Sequence, residues 1–140
     1  MKLSRREWSM LIPVLAAAQT ATKNEVLPSK VYPESDIPLK GSGANRSRQF
    51  LTGDTHNGCT IDLHTTELAA GEMPHAAHHH VHEEMIMIRE GTMEITIEGK
   101  VTRVGPGSVV YVASNEEHGW RNVGTTTAKY FVLALGRDRG

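Results

Sequence analysis

The chain has 140 residues and sets 15 basic side chains against 16 acidic ones, for a net charge of -1 with the histidines neutral. That length suits one domain, and basic residues scattered along the chain, apart from a few at each end, exclude the electrostatic footprint of a nucleic-acid binder. A single cysteine, Cys59, excludes a disulfide framework and any cysteine-rich metal cluster; beside Ile61 and Leu63 it is expected to be a buried structural thiol.

Lys2, Arg5 and Arg6 precede an apolar stretch, 10–18, that ends in Ala16, Ala17 and Ala18, the order of a secretory signal. A bilayer-spanning helix needs about 20 apolar residues, so stable membrane insertion is not expected. Ser4-Arg5-Arg6-Glu7-Trp8 resembles a bacterial twin-arginine signal, with Ser9 and Met10 departing from the usual pattern. The resemblance implies export to the periplasm or the extracellular space. Residues 1–18 are thus read as a signal peptide. Residues 19–45, with Pro28, Pro33, Pro38, Gly41 and Gly43 and no sustained apolar period, are read as a linker or extended arm.

Thirteen glycines and six prolines, with Val, Ile and Thr in short runs, point to an all-β body over 46–136. Cys59, Ile61 and Leu63 alternate with Thr60, Asp62 and His64, as in a strand with one buried face. Met85, Ile86, Met87 and Ile88 are apolar on both faces, so one face must fill the interior while Met85 and Met87 meet another layer; a homodimer interface is the expected use. Met93, Ile95 and Ile97 alternate with Thr92, Glu94, Thr96 and Glu98, and Gly99 marks a hairpin. Gly105-Pro106-Gly107 forms a sharp turn, and strands follow over 109–113, 119–123 and 129–135. Such spacing fits a sandwich or jelly-roll barrel. In the tail, 137–140, Arg137 and Arg139 should face solvent.

Five of the eight histidines crowd between His75 and His82. His78 and His80 are two apart and point to the same side of an extended segment, where they can chelate one ion. Glu84 keeps that parity and supplies an oxygen ligand that cancels part of a cation's charge. A fourth ligand must come from a distant strand, and His118 is the only histidine C-terminal to the cluster. His79, of opposite parity, should face solvent. His75 and His82 are expected at a solvated rim, with hydrogen bonding to the ligands or proton carrying as the alternative, and Glu83 is expected to be exposed.

His78-x-His80-x3-Glu84-x6-Gly91 resembles the first cupin motif, and Gly107-x5-Ala113-x-Asn115-x2-His118-x3-Asn122 the second. Gly71 is offset by one residue from the usual opening glycine; Ala113 replaces the usual proline and Asn115 the usual glycine. These departures touch turns rather than ligands. The resemblance implies a single-domain jelly-roll β-barrel, commonly dimeric, with one divalent metal inside. Trp120 and Asn122 share the parity of His118: Trp120 is expected in the core or lining a pocket, Asn122 fixing its turn, and Arg121 facing out.

Three imidazoles and one carboxylate leave about two positions open on a six-coordinate ion, as a reactive site requires. Donors without thiolate suit iron or manganese, with copper, nickel or zinc as alternatives. The same ligand set is similar to that of cupin oxygenases, which implies a metal-dependent oxidoreductase or dioxygenase acting on a small oxygenated or phenolic molecule. Lewis-acid isomerase or lyase chemistry, or a non-catalytic binding module, are the other uses of such a site.

Overall fold

The computed structural model describes residues 25–136, so the signal-like stretch 1–18 and the tail 137–140 lie outside the described residues. Nine strands form two antiparallel sheets: β1 (Lys40–Ser42), β2 (Asn45–Asp54), β3 (Thr60–Leu68), β4 (Glu83–Glu90), β5 (Met93–Ile97), β6 (Lys100–Val104), β7 (Val109–Val112), β8 (His118–Asn122) and β9 (Ala128–Leu135). The larger sheet has the order β1-β2-β3-β9-β4-β7 and the smaller β6-β5-β8. Among the described residues the only helical element is a 3-10 turn, Glu34–Asp36. No helix among them is long and apolar enough to cross a membrane. The all-β class expected from composition is the class observed.

Period-two alternation explains how the sheets close on one another. Leu68, Ile86, Ile88, Val110, Val112, Ala128, Tyr130 and Val132 project from the larger sheet, and Met93, Ile95 and Trp120 meet them from the smaller one. Burying an aliphatic side chain of this size contributes about 1.5–3 kcal/mol, so this shared core holds the two sheets face to face. Met93 and Ile95 point inward as their alternation requires. Glu98 and Gly99, both at positive φ (47° and 77°), make the two-residue turn that the twist of β5 and β6 demands.

Two expectations fail in β3. Cys59 is exposed, because the strand begins only at Thr60 and Cys59 closes the preceding loop, its carbonyl accepting from the Thr55 backbone amide at 2.8 Å. More consequentially, the apolar face of β3 is the outer one. Leu68, fully buried, shares parity with Thr66 and His64, and the register pairs these with inward-facing Ala128, Tyr130 and Val132. Ile61 and Leu63 instead lie opposite Leu135 and Leu133 on the outside of the sheet.

That outer face continues across β4 and β7. Met85 lies between Leu133 and Tyr111, and Met87 between Phe131 and Val109. Both methionines therefore face away from the barrel interior, as expected, while Val109 and Tyr111 are largely exposed. At the other end of the face, charges take over: Arg48 lies 2.9 Å from Glu67, and Arg89 reaches Glu34 of the 3-10 turn at 2.9 Å. The segment before β1 is tied down a second time, where the Leu27 amide donates to the Asp54 carbonyl and the Asp54 amide to that of Glu25.

Candidate metal centre

The histidine-rich segment was expected to run as a strand, but only His78 within it is strand-like, through a single antiparallel bridge to His118 at the start of β8. Each amide of that pair donates to the other's carbonyl, at 3.0 and 2.9 Å. The bridge requires the loop to lie almost on β8. A Cβ on Gly119 would come 3.2 Å from Ala77, so glycine there allows the approach. β4 then begins at Glu83 and carries Glu84 inward.

The four predicted ligands meet. Ligand atoms of His78, His80 and His118 lie within 4.8 Å of one another. Glu84 sets Oε1 3.4 Å from His80 Nε2 and Oε2 3.4 Å from His118 Nε2. Each ring is fixed from behind: Nδ1 of His78, His80 and His118 faces the backbone carbonyl of Ala76, His82 and Glu116 at 3.2, 2.8 and 2.8 Å. A carbonyl only accepts, so each Nδ1 is the protonated nitrogen and each Nε2 keeps a lone pair for the centre. His80 Nε2, His118 Nε2 and Glu84 Oε2 are buried and have no hydrogen-bond partner. Orphaned buried acceptors are costly, and a cation among them satisfies all three at once. Burial also lowers the pKa of His118 below the usual histidine value, with charge repulsion from His80 and His78 adding to the effect and the Glu116 carbonyl and Glu84 opposing it. The site thus favours the neutral, ligating form.

His82 is not a rim residue. Its ring stacks on that of His80, centroids 3.5 Å apart and planes 11° from parallel, and its Nε2 lies 3.3 Å from Glu84 Oε1. It therefore orients both a histidine and the carboxylate, leaving Glu84 Oε2 to the centre. Sequence spacing placed it on the ligand parity but gave no sign that two bends, at Val81 and His82, fold it back. His79 is exposed as expected. His75 is exposed at the cavity edge, its ring 4.3 Å from that of His78. Glu83 is half-buried rather than exposed, accepting a hydrogen bond from the Tyr111 hydroxyl.

Beside the cluster opens a cavity of about 180 Å³ lined by Glu84, His75, Trp120, Tyr130, Val132 and the inward side chains of β2 and β3, Ser47, His64 and Thr66 among them. Trp120 serves both expected uses, buried in the core and lining the cavity, with its Nε1 donating to the Tyr130 hydroxyl at 2.9 Å. Burial pushes the Tyr130 hydroxyl up to about 12, so it stays protonated. Asn122 holds its turn, donating to the Leu68 and Thr126 carbonyls and accepting from the Gly124 amide. Arg121 faces out. His64, Thr66 and Tyr130 were missed as site residues; the available signal was that Leu68 shares the parity of His64 and Thr66.

The sequence profile of the cupin domain matches residues 64–134. The chain belongs to the cupin family. No curated protein matches it. Among solved structures, this cupin is similar to an RmlC-like cupin from Shewanella frigidimarina, at 14% identity and a TM-score of 0.65, over 78% of this chain and 93% of that one. It is similar also to a predicted oxalate decarboxylase from Thermotoga maritima, at 21% identity and a TM-score of 0.66, over 77% of this chain and 100% of that one. A third is the polyketide cyclase RemF from Streptomyces resistomycificus, at 20% identity and a TM-score of 0.66, over 81% and 83%. At these identities the likeness is one of fold. The cupin's buried cluster of His78, His80, His82, Glu84 and His118 has the donor chemistry of a metal site.

Proposed function

We propose that this cupin is a metal-dependent oxidoreductase, a dioxygenase acting on a small oxygenated or phenolic molecule, with the ion held by His78, His80, Glu84 and His118. The observation that carries the reading is the convergence of His80 Nε2, His118 Nε2 and Glu84 Oε2, buried and unpartnered, with Glu84 also lining a cavity of about 180 Å³. Bound there, iron or manganese would supply Lewis acidity and a path for electrons between substrate and oxygen. The chain's own contribution is to hold the ligands in one tautomer, to shape the cavity with Trp120 and Tyr130, and to offer polar contacts from Ser47, His64 and Thr66. The volume suits one small ring or a short acid.

A second reading, Lewis-acid isomerisation or lysis without redox change, draws support from the histidine and carboxylate groups at the cavity and from the cyclase and decarboxylase names among the fold's relatives. Oxygen uptake separates the two. Protein loaded anaerobically with iron or manganese, then given oxygen with a panel of catechols and hydroxy acids, should consume oxygen in proportion to bound metal. Product formed without oxygen consumption would favour the Lewis-acid reading. Failure to bind any chelating molecule would leave a non-catalytic module.

The outer face of the larger sheet supports a homodimer. Ile61, Leu63, Met85, Met87, Phe131 and Leu133 form one apolar surface bordered by Arg48, Glu67 and Arg89, and an apolar field of that kind marks an interface. Met87→Lys should shift the protein to monomer in sedimentation velocity without changing its metal content. A wild type that sediments as monomer at tens of micromolar would overturn the dimer.

A further inference from the structure

Asp62 and His64 form a dyad on β3, with His64 lining the cavity, and neither belongs to the cupin motifs. The two lie on the inward face of β3, two residues apart, with His64 Nδ1 3.4 Å from Asp62 Oδ1. An ionised carboxylate only accepts, so Nδ1 donates and Nε2 is left with its lone pair. Asp62 is itself held: Gln49 Nε2 donates to its Oδ2 at 2.9 Å and Thr52 Oγ1 at 2.5 Å. These partners are supplied by register, since Gln49 lies opposite His64 and Thr52 opposite Asp62 on β2.

The sheet also places the dyad toward the metal cluster. Asp62 and Glu84 both pair with Ala134 of β9, so they share one row across the inner face with only a methyl group between them. His64 lies in the next row, opposite Val132, and lines the same cavity as Glu84. The other ionisable groups facing that cavity are His75, whose Nδ1 contacts the Ala76 carbonyl, and Tyr130, which keeps its proton. A hydrogen-bonded histidine with a bare Nε2, oriented by a carboxylate that is oriented in turn, has the construction of a general base.

We propose that His64, positioned by Asp62, is the proton acceptor of the site, taking the proton that a hydroxyl-bearing substrate loses when it chelates. The substrate O–H bond breaks, its electron pair stays on the oxygen, and the proton passes to His64 Nε2, where Asp62 balances the new charge. The inference rests on the metal-dependent reading above and narrows the substrate to molecules that enter neutral at a hydroxyl and bind as the oxyanion.

The probe is 4-nitrocatechol, titrated under nitrogen into manganese-loaded protein near pH 8 by calorimetry in two buffers of different ionisation enthalpy, with absorbance reporting the ionised ring. Wild type should retain on the protein a proton that His64→Gln releases, so the variant should release about one more proton to buffer per probe bound. Asp62→Asn should bind the probe more weakly than wild type, because the proton taken up by His64 loses the carboxylate that faces its Nδ1. Both variants should hold as much manganese as wild type, because neither residue is a ligand. Equal proton release and affinity in wild type and both variants would overturn the dyad while leaving the metal reading intact. Absence of any probe binding to loaded wild type would overturn the metal reading and this inference with it.

Discussion

Replacing His118 with Ala should abolish stoichiometric metal binding, weakening it by more than the roughly 10–100-fold that loss of an outer hydrogen-bond partner costs. His118 is the only ligand candidate outside the 78–84 segment, its side chain is 1% exposed, and its Nε2 faces Glu84 Oε2 at 3.4 Å. Without it the remaining donors sit on one loop and one strand end, with nothing to close the site from β8. The readout is the melting temperature with and without manganese. A ligand at about 100 times its Kd stabilises a folded protein by about 2.7 kcal/mol, or about 10 °C for a domain of this size. His118→Ala should lose that increment, and His79→Ala, altering an exposed ring of opposite parity, should keep it. If both variants lose it equally, the ligand assignment is wrong.

Gly91→Ala should be strongly destabilising, costing about 3 kcal/mol or more. The residue connects β4 to β5 at φ 91°, a conformation that costs a side chain about 1–3 kcal/mol by itself. Here a Cβ would also lie 2.8 Å from both Cα and Cβ of Ala128, so the backbone of β9 has to move. Gly107 is the control: its φ is 84°, yet a Cβ there meets nothing within 4 Å. Gly107→Ala should therefore cost only the conformational part. Urea denaturation of the two variants measures the difference, and equal losses would show that the contact with Ala128 relaxes freely.

Spacing pointed to three of the four candidate ligands, and His118 followed as the only histidine C-terminal to them. Parity along an extended segment survives even where hydrogen bonding does not: His78 and His80 keep a common side although only His78 is bridged to a neighbour. What spacing could not show was the fold-back at Val81 and His82, because nothing in those residue types encodes the stacking of His82 on His80. The reversal of β3 has a different cause. Alternation reports which face is apolar, and that equals the inner face only when the interior is dry and the exterior wet. This barrel holds a polar cavity inside and an apolar sheet face outside, so Ile61 and Leu63 point out while His64 and Thr66 point in. The cavity wall was hidden for that reason, whereas Met93 and Ile95 face the dry core, as their alternation indicates.

The paired backbone hydrogen bonds between His78 and His118 bear on timescale as well as position. They join the loop before β4 to the opposite sheet at the point where the candidate ligands meet, so an ion held there would pin two layers that must part before the barrel opens. Escape of the ion and separation of the layers then become one kinetic event. In the presence of excess chelator, metal loss would follow the opening rate of the barrel and level off with chelator concentration, giving the protein a half-life set by a barrier rather than by its equilibrium stability.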